Sequence, residues 1–320
     1  MKALTQNPEQ IKNGQIKQLT RMVSDVADSE PVQQALADLD KEGAERVKGN
    51  PEFAESLRQY TVQRIQELSV PNEYANEEVE SQFGYLSGYT PGVMDLDRQI
   101  TVLARLFPGL GGVNPDYLEK VKSGAEKLPT GAEKFAAIPN WKKHPELFGG
   151  KTYNDAVQKV LDLVELERKG KFINHRKGHI GPDQLRQSKR SKAFWSKLIE
   201  EQGNSDILIV PIQFGIRHRG RSVRRAIVRM QLNEFGLGAF AVGICLLTHP
   251  ERLKHFDDLW IDCAGDEYDD PGSGVRFGRS PFFFGVRGVG IGFGASFVDS
   301  AAGSYGAASG FVPQKEPRSS

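Results

Sequence analysis

PGSGVRFGRSPFFFGVRGVGIGFGASFVDSAAGSYGAASGFVP, residues 271–313, is the stretch on which the reading of this chain turns. Within it Val289, Ile291, Phe293, Ala295 and Phe297 alternate with Gly288, Gly290, Gly292, Gly294 and Ser296. That two-residue period predicts a strand with one apolar face and one bare face. Glycine inside a strand costs roughly 0.5–1 kcal/mol relative to alanine, so a whole face of it calls for a reason such as close backbone approach or a bulge. The same residues contain no Lys, Glu, Gln, Met or Trp, although these five types supply 66 of residues 1–270. Strand and turn chemistry disfavours Lys and Glu and favours Gly and Ser, which explains part of the gap. The five missing types are also those that cannot be reached when the adenines of an AAY codon are randomised.

Upstream of this segment the pattern is mixed. Ile207-Leu208-Ile209-Val210 is a continuous apolar run bounded by Gly203-Asn204 and Gly215, and predicts a buried strand. Ser222 to Met230 and Gly238 to Thr248 each have helical length; the second is apolar almost all round and belongs in a core, ending before His249-Pro250. Leu259-Trp260-Ile261 predicts a further strand. Before residue 204 the signals are those of helices. Asn50-Pro51 and Asn114-Pro115 are start signals, with helices also expected over Pro8–Val26, Pro31–Val47, Val93–Leu106 and Tyr153–Arg168. The expected class is α+β: a helical N-terminal region over 1–203, with a break near 108–113 or 140–150, a mixed domain over 204–313 ending in Gly- and Phe-rich strands, and a disordered tail over 314–320.

The 320 residues carry a formal charge of +1, with 38% hydrophobic and 26% charged residues, which excludes polyanion binding by bulk charge and fits a folded soluble protein. The charge is uneven. Residues 168–229 hold sixteen Lys and Arg against Asp183, Glu200, Glu201 and Asp206, a net of +12, leaving −11 for the remainder. Two readings stand. The stretch is a nucleic-acid footprint built on Arg176, Lys177, Lys189, Arg190, Arg219, Arg221, Arg224 and Arg225, or it is a partner for the acidic remainder of the same fold. Asp257, Asp258, Asp262, Asp266, Glu267, Asp269 and Asp270 offer oxygen ligands, and a metal-dependent hydrolase on Asp262, Asp266 and Glu267 is a third reading, although the spacing is not that of a calcium loop. His218, His249 and His255 follow no triad or HExxH spacing. The glycines at 285–294 and 109–112 lack the context of a nucleotide loop, so no cofactor is expected. Cys245 and Cys263 read as core thiols. No signal peptide or membrane span is visible, and a cytoplasmic location is the default expectation.

FGLGAFAVGICLLTHPERL, then LWIDCAGDEY, PFFF, GVGIGF and the terminal YGAASGFVP resemble the variable proteins of diversity-generating retroelements over roughly residues 206–313. In that family a reverse transcriptase copies a template, with errors at adenine, into the 3′ end of the gene, and the varied residues are displayed on a C-type-lectin-like fold. The resemblance implies a non-enzymatic display protein that binds a protein ligand, with a possible homo-oligomer formed or tethered through its helical region. Carried onto this chain, it makes Trp260, Ile261, Gly265, Gly306, Ala308, Ser309, Gly310 and Phe311 fixed framework. It places the exchangeable positions among Phe282, Phe284, Val286, Arg287, Ser296, Phe297, Asp299, Ser300, Ser304 and Tyr305. Among these Phe282, Phe284, Arg287, Phe297 and Tyr305 are the expected anchors, because aromatic and Arg side chains dominate interface energy. The fold alone implies no calcium-dependent sugar site.

Overall fold

The computed structural model describes residues 34, 37, 41–48, 50, 73–91, 96–272 and 274–313. The chain divides into two compact units, Met1–Ser69 and Val70–Ser320. Helix α1, Lys41–Lys48, belongs to the first; the helices expected over Pro8–Val26 and from Asn50-Pro51 lie outside the described residues, as does the tail 314–320.

The second unit is mixed α+β, and two sheets enclose its core. The first sheet has the order β1-β4-β10-β5, all antiparallel, from Lys134–Pro139, Ile207–Gln213, Ser309–Phe311 and Glu234–Gly236. β4 is buried at every position, as its unbroken apolar run predicts. The second sheet has the order β2-β9-β8-β7-β3, from Phe172–Asn174, Gly290–Phe297, Arg279–Val286, Asp266–Tyr268 and Leu185–Gln187, with β6, Ile261–Asp262, beside β8.

Helices start where a side chain can satisfy their free N–H groups. For α2, Leu96–Leu106, the residues before Leu96 lie outside the description. Asn114 accepts from Tyr117 N at the head of α3, Pro115–Lys122. Thr152 and Asp155 form a capping box at α4, Tyr153–Glu167. Ser188 and Ser222 cap α5, Lys189–Glu201, and α6, Val223–Arg229. The last helix, α7, Ala239–Thr248, is buried along its whole length and packs on α4, β1 and α2. Its cap comes from elsewhere: Asp266 Oδ2 accepts from Ala239 N at 2.7 Å, and the Tyr153 hydroxyl accepts from Phe240 N at 3.4 Å while donating to Asp266 at 2.9 Å.

The expected boundary at 203/204 does not separate two domains. β1, β2 and β3 precede it, yet they are hydrogen-bonded to β4, β9 and β7. These strands are three to six residues long, and KFAAIP is apolar without alternation, so periodicity does not reveal them. The chain passes from the second sheet to the first through 304–309, and there Gly215, at φ +120°, faces Gly306: a Cβ on Gly215 would stand 2.6 Å from the Gly306 carbonyl oxygen. Among the described residues no helix is long and apolar enough to cross a membrane.

Candidate functional site: an aromatic face on a glycine floor

β8 and β9 pair so that Phe283 faces Phe293 and Pro281 faces Ala295 on the core side, while Phe282 faces Gly294 and Phe284 faces Gly292 on the other. The bare face predicted from sequence is thereby explained. A Cβ on Gly292 would stand 2.5 Å from the Phe284 ring, and one on Gly294 would stand 3.2 Å from the Phe282 ring. The rings of β8 lie across β9, and only glycine leaves room for them.

The same face continues over β6. Asp262 pairs with Phe282, and Asp262 also bridges Ala307 in parallel register. Trp260 N donates to Ser304 O at 2.8 Å and Asp262 N to Gly306 O at 2.9 Å, so extending this register by two residues sets Trp260 beside Tyr305 and Phe284. Two rows result across the face. One runs Tyr305, Trp260, Phe284, Gly292; the other runs Ala307, Asp262, Phe282, Gly294. The rings pack accordingly: Trp260 stacks on Phe282 with centroids 5.5 Å apart and planes 6° from parallel, on Tyr305 at 5.2 Å, and lies 5.0 Å from Phe284. His175, next after β2, stacks on Phe284 at 5.8 Å. Trp260, Phe282, Phe284 and Tyr305 are half-buried and His175 is exposed, so the row of rings faces outward from a rigid sheet.

Beneath the rings lies Asp262, 3% exposed. Its Oδ2 has no hydrogen-bond partner, and burial pushes the carboxyl up to about 7. Asp266 is likewise raised by burial to about 7, but it holds the N-terminus of α7. The two carboxylates do not converge. Glu267 pairs with Arg186 at 2.6 Å, Asp269 with Arg276 at 2.9 Å, Asp270 with Arg176 and Arg279 at 3.3 and 3.2 Å, and Asp258 accepts from Leu86 N at 2.6 Å. Among the described residues no group of three His, Cys, Asp or Glu is placed to hold a metal. Of the three carboxylates expected for a hydrolase, Asp266 caps α7, Glu267 pairs with Arg186 and Asp262 Oδ2 stands alone among the described residues, so the three are not brought together.

Of the ten positions expected to be exchangeable, Phe282, Phe284 and Tyr305 form the row of rings, and Val286 and Ser296 share its face. Ser304 adjoins it through its carbonyl. Phe297 lies on the opposite face, 44% exposed, with the Arg279 guanidinium 4.1 Å from its centroid. Arg287 is in the β8–β9 turn over Phe256, and Asp299 and Ser300 are in the turn after β9, with Asp299 3.9 Å from Arg224. Gly306, Ala308, Ser309, Gly310 and Phe311 are all buried. Trp260, expected as plain framework, is the centre of the ring cluster, and His175 lay unnoticed in the basic run. The alternation Trp260-x-Asp262 beside Phe282-x-Phe284 is the sequence signal that joins them.

Many arginines of the basic stretch find partners inside the fold. Arg190 donates to Glu234 O at 2.6 Å and Arg219 to Phe83 O at 3.0 Å, Arg217 pairs with Glu234 at 3.2 Å, Arg221 and Arg225 pair with Glu78, and Arg224 with Glu77. This is the internal neutralisation that the charge asymmetry allowed; Lys177 and Lys189 are exposed. His218 is buried and held neutral by that burial, its Nε2 donating to Glu234 at 2.7 Å. A cavity between Trp141, Tyr153, Trp195 and Phe240 has about 20 Å³, room for about one water. Set against family models, curated proteins and solved structures, the chain finds no match in any of the three.

Proposed function

We propose that this protein is a non-enzymatic display protein whose second unit, Val70–Ser320, carries on its C-terminal strands a C-type-lectin-like recognition surface diversified by a retroelement. The observation that carries the reading is the aromatic face itself. Four half-buried rings stand over the paired strands β6, β8 and β9, where Gly292 and Gly294 leave room for the Phe284 and Phe282 rings, and the chain runs on from Tyr305 into the buried strand β10 of the other sheet. Side chains that face outward from paired strands and turns can be exchanged without touching the core, so stability and recognition are separated. Large rigid rings supply contact area at low entropic cost, which suits a protein ligand. The absence of Lys, Glu, Gln, Met and Trp from 271–313 agrees with AAY codons at the varied positions.

The reading has a genomic consequence. DNA flanking the gene is expected to hold a second, near-identical copy of the segment encoding 271–313, differing at adenines, beside a reverse transcriptase gene. Sequencing several tens of kilobases on either side tests this; a flank with neither overturns the diversification.

A further inference from the structure

Six carboxylates are buried among the described residues: Glu77, Glu133, Glu234, Asp258, Asp262 and Asp266. Five have clear partners. Glu77 accepts from Ser222 and Arg224, Glu133 from the Tyr85 and Tyr89 hydroxyls, Glu234 from His218 and Ser309, Asp258 from Leu86 N, and Asp266 from Tyr153 and Ala239 N. Asp262 is different. Its Oδ2 is buried without a donor, and an unsatisfied buried acceptor costs roughly 1–3 kcal/mol. The energetic penalty falls in the row of Ala307 and Phe282, beside the row of half-buried rings.

We propose that Trp260, Phe282, Phe284 and Tyr305, backed by Asp262, receive an organic cation: the guanidinium or ammonium group of an arginine or lysine side chain on the protein ligand. The inference deepens the recognition-surface reading and rests on it. Ring faces carry negative quadrupole potential and attract cations, indole most strongly. Asp262, when ionised, adds a counter-charge in a low-dielectric place where an ion pair is least screened, and a cation held over the rings favours that ionised form. Among the described residues no basic side chain is hydrogen-bonded to Asp262 Oδ2; Arg221, Arg224 and Arg225 on and before α6 are taken by Glu77 and Glu78. A neutral ligand gains from the rings alone, and an anion is repelled.

The test uses the full chain and its three tryptophan indole N–H signals in proton–nitrogen NMR, with the Trp260 signal assigned by its loss in Trp260→Phe. Choline and Nα-acetyl-arginine methylamide are titrated in, with 3,3-dimethylbutan-1-ol as the neutral isostere of choline. The expected result is a saturable shift of the Trp260 signal with both cations, roughly tenfold tighter than with the neutral alcohol, and no movement of the Trp141 and Trp195 signals. Asp262→Asn, nearly isosteric, weakens the cations about fivefold or more and leaves the alcohol unchanged. Equal affinity for alcohol and choline, or cation affinity unchanged in Asp262→Asn, overturns the inference. Its failure is distinct from that of the parent reading, which is decided by the gene's flanks and by its variation, neither of which depends on ligand charge.

Discussion

Gly292 and Gly294 show how a residue's environment can lie out of sight in the sequence. The alternation that makes their face bare is plain, but the reason for it sits across a turn, in Phe284 and Phe282 of the neighbouring strand. Only the register reveals which ring covers which glycine. Gly292→Val puts branched carbon where the Phe284 ring lies, and overpacking of this kind costs about 1–3 kcal/mol; urea unfolding of the variant should show that loss, and an unchanged midpoint would mean the ring is free to move aside. Asp262 makes a second prediction at this scale. Its carboxyl is raised from the ordinary range to about 7 in the folded state, so the folded protein holds a proton that the unfolded chain has released. Stability relative to an uncharged residue is therefore full at low pH, falls as pH rises from about 4, and levels off above about 7. Asp262→Asn should match the parent near pH 4 and exceed it increasingly up to pH 7.5, by at most about 4 kcal/mol. The comparison must be variant against parent, because His249, held neutral by burial at about 3, drives the parent's own curve in the opposite direction. An Asn variant whose margin over the parent is no larger at pH 7.5 than at pH 4 would show that Asp262 is satisfied.

At the scale of elements, most of the described helices were legible, α5 excepted, and most strands were not. Thr152, Asn114 and Ser222 announce helices through chemistry that acts within a few residues. β2, β3, β5 and β7 are three residues each, and what makes them strands is a distant partner. α7 combines both cases. Its apolar run predicted a core helix, yet Gly238 before it offers no capping side chain, and the cap is delivered by Asp266, far along the chain. Asp266→Ala removes the acceptor for Ala239 N and the partner of the Tyr153 hydroxyl in one step. A loss of about 2–4 kcal/mol in thermal or urea unfolding is expected. A smaller loss in Tyr153→Phe, which leaves the Ala239 bond, would show that the cap dominates, while a negligible effect of Asp266→Ala would remove Asp266 from that role. The same logic explains why the acidic cluster misled: charge density along a sequence says nothing of the directions in which the strands send each carboxylate.

For the molecule as a whole, the charge asymmetry between 168–229 and the remainder is resolved in part internally. Arg217, Arg221, Arg224 and Arg225 meet Glu77, Glu78 and Glu234, so acidic residues from outside the stretch match part of its positive charge locally. Glu234 sits at the centre, below its ordinary range despite burial because His218, Arg217 and Ser309 face it. Its contribution is present above the unfolded carboxylate range near 4.5 and is lost as pH falls beneath it. Glu234→Gln should therefore destabilise at pH 7 and lose that deficit towards pH 2, and a deficit independent of pH would contradict an ionised Glu234. The core is closed by α7 and β10, and the face bearing Trp260, Phe282, Phe284 and Tyr305 gathers four half-buried rings on one side of the second sheet.

The central claim is that this face is exchanged while its support is kept, and deep sequencing of the 3′ end of the gene across a population of its source cells tests it most directly. Substitutions are predicted to concentrate at outward positions such as Phe282, Phe284, Ser296, Asp299 and Tyr305. Gly292, Gly294, Trp260, Asp262 and 306–311 should stay constant with everything upstream. A 3′ end as invariant as the rest, or substitutions spread evenly over the glycine floor and the buried strand β10, would contradict the account.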